Sequence, residues 1–289
     1  MKKVWGQGKP KQIPTTETME GKQMMERIKM QGVPETMLQT LYARAAYSRE
    51  RNAKFRDDKA VEIVSRMDYD FSPAGKDAMM SKGVIARTIL LDRMVRDFIR
   101  RNPKGTVVNI ACGLDTRVYR LKIPSSIRWY NLDLPETIEV RRRFLTENGR
   151  ISMIAKSAMD ENWAEKVDEP EGRTLVILEG LVMYLSEEDV KKILSIVSRR
   201  FKQAEVIMET MNPWVVKNVK EKSIEATKAK FTWGIRSGKE LERISPEYTW
   251  VRDVSLIDGM KIIMPVYRLF GWIPAVKNIS NKLSVLRKG

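Results

Sequence analysis

Asn109-Ile-Ala-Cys-Gly-Leu-Asp115, together with Asp133, holds residue types and a spacing that could receive a nucleotide-like cofactor. Gly113 lifts the steric limit where backbone must approach a ligand closely. Asp133, about twenty residues further on, can accept hydrogen bonds from ribose hydroxyls if it ends a strand. The turn has one glycine where a dinucleotide fingerprint has three, and Ala111 stands where a first glycine is expected. Two later segments repeat the layout of an apolar run meeting a polar turn, one at Ser157 and one at Glu179-Gly180. The chain contains no histidine, which removes the commonest general base and the commonest metal ligand together. Ser-His-Asp catalysis and histidine-dependent metal chemistry are therefore excluded. A single cysteine, Cys112, rules out an internal disulfide and fits a reducing, cytoplasmic setting. Inside an apolar turn it reads as a small packing residue rather than a nucleophile.

These residues need elements to position them. The β-branched run 106–110 has the length and composition of a buried parallel strand. Further strands are expected at 127–133, 151–156, 174–178 and 204–208, with helices between them, one over 136–146. Ser186-Glu-Glu-Asp189 opens another helix with an N-cap serine and a first turn of acids, which the helix dipole favours. Strands alternating with helices over 106–210 argue for an α/β fold with a parallel sheet covered on both faces. Ligands of such sheets bind beyond the carboxyl ends of the strands, where Gly113, Asp133, Ser157 and Glu179 would all lie.

At this point the residues resemble a known family. Over roughly residues 38–265 the chain is similar to the leucine carboxyl methyltransferases, and within them to the bacterial branch of polyketide-type O-methyltransferases. The resemblance rests on Arg44-Ala-Ala-Tyr-Ser-Arg with Phe55-Arg-Asp-Asp-Lys-Ala60, on Arg87-Thr-Ile-Leu-Leu-Asp92, and on Asn109-Ile-Ala-Cys-Gly-Leu-Asp-Thr-Arg117 with Tyr119-Arg-Leu121. Leu132-Asp-Leu-Pro135 with Arg141-Arg142, and Glu179-Gly-Leu-Val-Met-Tyr-Leu185, complete it. It implies a Rossmann-like class I methyltransferase with a mostly parallel seven-stranded sheet, an N-terminal helical extension and an inserted helical lid. It also implies S-adenosylmethionine as cofactor, S-adenosylhomocysteine as product and no metal.

The same resemblance assigns roles. Asn109, Ala111, Gly113 and Asp115 would line the methionyl portion of the cofactor. Asp133, with Leu134 beside it, would hold the ribose, and Ser157 and Ala158 the adenine, with Asp160 or Trp163 nearby. Glu179 and Gly180 would face the cofactor's amino end. Lys82 and Arg87 match a basic pair, one of which could grip its carboxylate; Arg44 is a weaker match for that task. Glu179 and Tyr184 are the candidates for catalysis. Each has a structural alternative: Asp115 and Arg117 can pair with each other or cap the next helix, Tyr184 can be core, and Arg141-Arg-Arg143 reads as a solvated helix face. Methyl transfer from a sulfonium tolerates the absence of histidine, because a carboxylate acceptor is already ionised at pH 7, whereas a phenol of pKa ~10 would gain from a base. The missing histidine thus tilts the reading toward an acidic oxygen on a small molecule, a carboxylate ahead of a phenolic or enolic oxygen, both of which stay open. Phe231, Trp233, Trp214 and Tyr248 could sandwich a planar acceptor or form the core of a lid.

The 289 residues suit one domain with additions, because no Pro/Gly/Ser linker separates two cores. The expected division is a basic tail at 1–18, a helical cap at 19–104, a cofactor-binding half at 105–210, and a lid with C-terminal strands at 211–289. Neither a signal peptide nor a membrane-spanning run is evident. The net charge of +16 would attract nucleic acid, anionic lipid or an acidic substrate without selecting among them. The stretch 264–288, with Tyr267, Phe270, Trp272 and several lysines, could lie on a membrane surface. A carboxyl methyltransferase acting on a protein C-terminus or a modified tRNA base would give the basic surface a use. Ala111 in place of glycine keeps open a non-catalytic cofactor-binding or assembly protein of the same fold. The oligomeric state is open.

Overall fold

The computed structural model describes residues 26–27, 36–168, 171–218 and 230–289. The expected tail at 1–18, the first part of the cap and residues 219–229 of the lid lie outside them.

Seven strands form one sheet: β1 (Thr106–Ile110), β2 (Arg128–Asp133), β3 (Ile151–Ala155), β4 (Thr174–Leu178), β5 (Ala204–Thr210), β6 (Thr249–Ser255) and β7 (Lys282–Lys288). Their spatial order is β3-β2-β1-β4-β5-β7-β6, parallel throughout except that β7 runs antiparallel to both neighbours. The chain order reverses at β1 and β4, and there the crevice beyond the strand ends opens. Every residue of β1, β4 and β5 is buried, as expected of strands covered on two faces.

One face is covered by α5 (Glu187–Arg200), whose Val190, Ile193, Leu194 and Val197 recur at helical spacing and pack on Val108, Val176 and Val206. Its N-terminus carries the expected Ser186 cap as a full capping box, with Asp189 returning the hydrogen bond. The other face is covered by α3 (Ala78–Arg101) and α7 (Leu256–Ile263), with Leu91, Val95 and Phe98 against Val107, Leu175 and Ile207. α7 approaches α3 so closely that a Cβ on Gly259 would sit 2.5 Å from the Ala86 carbonyl oxygen, so only glycine fits there.

α1 (Thr36–Ser48) and α2 (Asp58–Arg66) form a third cluster with Leu38, Leu41 and Ile63 against Cys112, Leu114 and Ile138. This cluster presses on the turn after β1, so the front helices help shape the crevice. α4 (Pro135–Phe144) starts with proline at its first position, where the missing N–H costs nothing, and stops short of the expected 146 because Leu145 is already extended.

Candidate active site

A cavity of about 360 Å³ opens at the carboxyl edge of the sheet. Asn109, Ala111, Gly113 and Asp115 reach it from the end of β1 and the turn beyond, and Asp133 and Leu134 from the end of β2. Ser157 and Ala158 follow β3, and Glu179 and Gly180 follow β4. Tyr184 enters from the short helical turn Val182–Tyr184, and Arg87 from α3. Thr36, Met37, Thr40 and Arg44 of α1 close the front. Lys82 does not belong to this wall, while Arg44, the weaker match in sequence, does.

Three residues bend the backbone around the cavity through the left-handed region: Ala111 at φ 52°, Gly113 at φ 46° and Gly180 at φ 65°. The position where glycine was expected thus keeps the glycine conformation with an alanine in it, at a local cost of about 1–2 kcal/mol. Gly113 has no such latitude. A Cβ there would meet the Met37 Cβ at 2.9 Å, so Gly113→Ala is expected to destabilise the protein by about 2–3 kcal/mol through strain and overpacking, read as a lower urea midpoint at unchanged slope.

Gly113 is held at both ends of its residue. Its N–H donates to Asp133 Oδ2 at 2.7 Å, and its carbonyl accepts from Arg141 Nη1 at 2.8 Å. Arg141 is fully buried, and its Nε and Nη2 have no hydrogen-bond partner among the described residues. The sequence reading placed Arg141 on a solvated face. Arg142 and Arg143 do face solvent, but Arg141 turns inward beneath the glycine turn. Burial pushes the Asp133 carboxyl above its ordinary value, although the N–H groups of Gly113 and Leu134 and the charge of Arg141 pull it the other way.

Behind the wall runs a network of buried ion pairs. Arg117, 1 % exposed, reaches Asp92 at 2.9 Å, Asp115 at 2.6 Å and Glu179 at 2.8 Å with its three nitrogens. Arg87 joins Glu179 to Glu209, 2.7 Å from each, and Arg120 joins Asp92 to Asp115. Arg44 pairs with Asp57 at 3.0 Å and donates to the Leu114 carbonyl. Burial would raise the Glu179 carboxyl, but Arg117 and Arg87 outweigh it and hold it below the usual range. Burial is likewise overcome at Asp115, by Arg117, Arg120 and Arg44. Asp115 does what its structural alternative proposed, pairing with Arg117 and accepting the Arg117 backbone N–H at 2.9 Å, while still forming part of the wall. Burial pushes the Cys112 thiol upward, which suits packing and not nucleophilic attack.

The four aromatics considered for an acceptor sandwich lie elsewhere. Trp233 and Tyr248 are buried in the core against α5, Tyr248 donating to the Leu194 carbonyl. Trp214 is 56 % exposed. Phe231 is not part of the wall, and its ring stands 5.4 Å from that of Tyr184. Sequence reasoning gave no role to Arg120, Asp57, Asp92 or Glu209. The available signal was the spacing of Arg117 and Arg120 on one short turn and a lone Asp92 within the apolar run of α3.

A family model described as leucine carboxyl methyltransferase matches residues 34–198. The tetracenomycin polyketide synthesis O-methyltransferase TcmP of Streptomyces glaucescens is 35 % identical over 238 residues, 82 % of this chain and 87 % of the relative. The S-adenosyl-L-methionine-dependent methyltransferase dpfgK of Gibberella zeae is 27 % identical over 86 % of this chain and 89 % of its own. Among solved structures, a protein of Thermobifida fusca YX assigned to the methyltransferases superposes with a TM-score of 0.54 at 13 % identity, covering 85 % of this chain and 94 % of that one.

Proposed function

Because the chain belongs to the leucine carboxyl methyltransferase family and is an S-adenosylmethionine-dependent methyltransferase, we propose that the cavity transfers a methyl group to an acidic oxygen of a small molecule. The observation that carries this reading is the shared face of Gly113, Asp133 and Glu179 on one cavity, with Asp133 at a strand end and Glu179 held ionised. The residues present fit the cofactor: the backbone turns at Gly113 and Gly180 border the cavity, and its wall carries Asp115, Asp133 and Glu179 together with Arg44 and Arg87. When bound, the cofactor supplies a methyl group already activated by its sulfonium charge.

In this reading Asp133 receives the ribose hydroxyls, with Leu134 and Thr137 beside it. Ser157 and Ala158 contact the adenine, and Met159 supports them from the same turn. The turn from Asn109 to Asp115 lies along the methionyl chain. Glu179 faces the amino group, and Arg87 and Arg44 are the wall cations available to the carboxylate. Both Glu179 oxygens already lie against guanidinium groups, which makes it a weak proton acceptor. Its role is then electrostatic, and Tyr184 with Leu181 and Leu185 borders the acceptor side. The described wall offers neither histidine nor lysine as a proton acceptor, which favours an acceptor oxygen acidic in its own right, a carboxylate or an acidified phenol or enol. The protein's part is to align that oxygen and exclude water. The Streptomyces relative, named as an O-methyltransferase of polyketide synthesis, supports oxygen as the target atom.

Calorimetric titration with S-adenosylhomocysteine should show binding in the micromolar range, and carboxylic and phenolic acceptors should be methylated where neutral alcohols and amines are not. Preference for an amine would overturn the acceptor assignment. Affinity should also depend on pH. The ligand requires ionised Asp133, whose carboxyl burial raises, so binding is full above that raised value and weakens as pH falls through it, approaching tenfold per unit. The loss should begin at higher pH than an unperturbed aspartate would give, and Asp133→Asn should bind weakly with no such slope.

A further inference from the structure

Among the described residues eight large apolar side chains are exposed, and five of them belong to one region: Trp214 at 56 %, Val266 at 47 %, Leu269 at 75 %, Trp272 at 69 % and Ile279 at 44 %. Val266, Leu269 and Trp272 recur at intervals of three along α8 (Tyr267–Phe270) and the turn after it. Ile279 ends α9 (Pro274–Ile279), and Trp214 lies on α6 (Pro213–Asn218). The two helices are tied by Asn212, whose Nδ2 donates to the Asn278 carbonyl at 2.8 Å while its Oδ1 accepts the Trp214 N–H at 2.8 Å. A patch of this kind on a charged protein marks a docking surface.

Its charge selects the occupant. The 31 residues after Asp258 contain six lysines and arginines and no acid. Asp258 takes Lys261 at 2.9 Å and Lys277 at 3.4 Å, and Arg268 donates to the Lys261 carbonyl, which leaves the group of Lys261, Arg268, Lys277 and Asp258 with a surplus of two positive charges. Two copies of a chain of net charge +16, meeting through this face, would set like charges against each other. An anionic surface with an apolar interior meets both halves of the patch: basic side chains reach the headgroups while tryptophan and leucine enter the acyl boundary. The Trp272 Nε1 already donates to the Leu269 carbonyl at 2.9 Å, so its ring can leave water without stranding a donor. Among the described residues no helix is long and apolar enough to cross a membrane.

The location gives it a use. α6 follows β5 at the carboxyl edge of the sheet, and Asn281, just past α9, donates to Glu209, whose other oxygen takes Arg87 of the cavity wall. We propose that Trp214 and the α8–α9 segment dock the protein peripherally on an anionic lipid surface, with the cavity edge turned toward the bilayer. This does not depend on the methyl-transfer reading.

Co-sedimentation of the full chain with vesicles of phosphatidylcholine alone and with about one third phosphatidylglycerol tests it, alongside quenching of tryptophan fluorescence by brominated lipid. The expected result is at least tenfold stronger binding to the anionic vesicles, with quenching. The double variant Leu269→Ser, Trp272→Ser should lose tenfold or more of that binding while keeping its affinity for S-adenosylhomocysteine. Arg268→Glu reads the same loss if the double variant fails to fold. Equal binding by wild type and variants, binding without quenching, or no binding would overturn the proposal. So would light scattering that shows a dimer in wild type and a monomer in the double variant, since a second copy would then cover the patch.

Discussion

Arg117→Leu should remove about 3–5 kcal/mol of folding free energy, since one partner of a buried ionic cluster is lost and the others stay behind. Asp92, Asp115 and Glu179 would then face one another with Arg117's three nitrogens gone, and all three are largely shielded from water. Arg120 and Arg87 would remain, so part of the cluster would stay compensated and the loss should stop short of three separate unpaired charges. Urea unfolding gives the number. Lysine at 117 should rescue only a fraction, because a single ammonium cannot meet three carboxylates in one plane. As a contrast, Arg199→Ala removes a pair with Glu161 in which both side chains are about 60 % exposed, and should shift stability by less than about 0.5 kcal/mol. If the two variants behaved alike, the cluster would not be the clamp that the distances suggest.

Asp133→Ala should weaken S-adenosylhomocysteine binding by roughly 100-fold to 1000-fold. Hydrogen bonds to a charged group contribute about 1.5–3 kcal/mol each, and a ribose presents two hydroxyls. Part of the loss would come through the turn, because Asp133 also accepts the Gly113 and Leu134 N–H groups at 2.7 and 2.8 Å. Asp133→Asn separates the two contributions: its amide oxygen can still take one N–H, so a large loss in both variants points to the ligand, and a loss only in alanine points to the loop. Calorimetry on folded protein decides, and unchanged affinity in both would remove the ribose assignment.

Five of the seven strands were legible in the sequence because β-branched runs bounded by polar turns have few other uses, whereas β6 and β7 were expected only as C-terminal strands without a position. The β1 and β4 limits agree with expectation, and β2 and β3 differ by a residue at one end. The floor of the cavity was legible for the same reason: residues that follow parallel strands share one edge. Beyond the Asp115–Arg117 pair the ion network was not, since its other pairs through Arg117 join positions 25 and 62 residues apart, and nothing local distinguishes a buried arginine from a solvated one. Arg141 shows this most clearly, being the inward member of a run of three arginines on a helix of which the other two are exposed. The aromatics were ambiguous in the sequence for a different reason. Their proximity along the chain to β5 said nothing about the direction of Trp233 and Tyr248, which the apolar face of α5 draws inward. Ala111 has the opposite lesson, a residue whose type disguises a left-handed backbone conformation.

Holding Gly113 by its N–H from one side and its carbonyl from the other has a consequence for turnover. Ordering a backbone residue costs roughly 1–2 kcal/mol in conformational entropy, and here that cost falls during folding, before any ligand arrives. Product departure then need not wait for this turn to melt, nor the next cofactor for it to reform. Successive catalytic cycles would meet the same rigid seat.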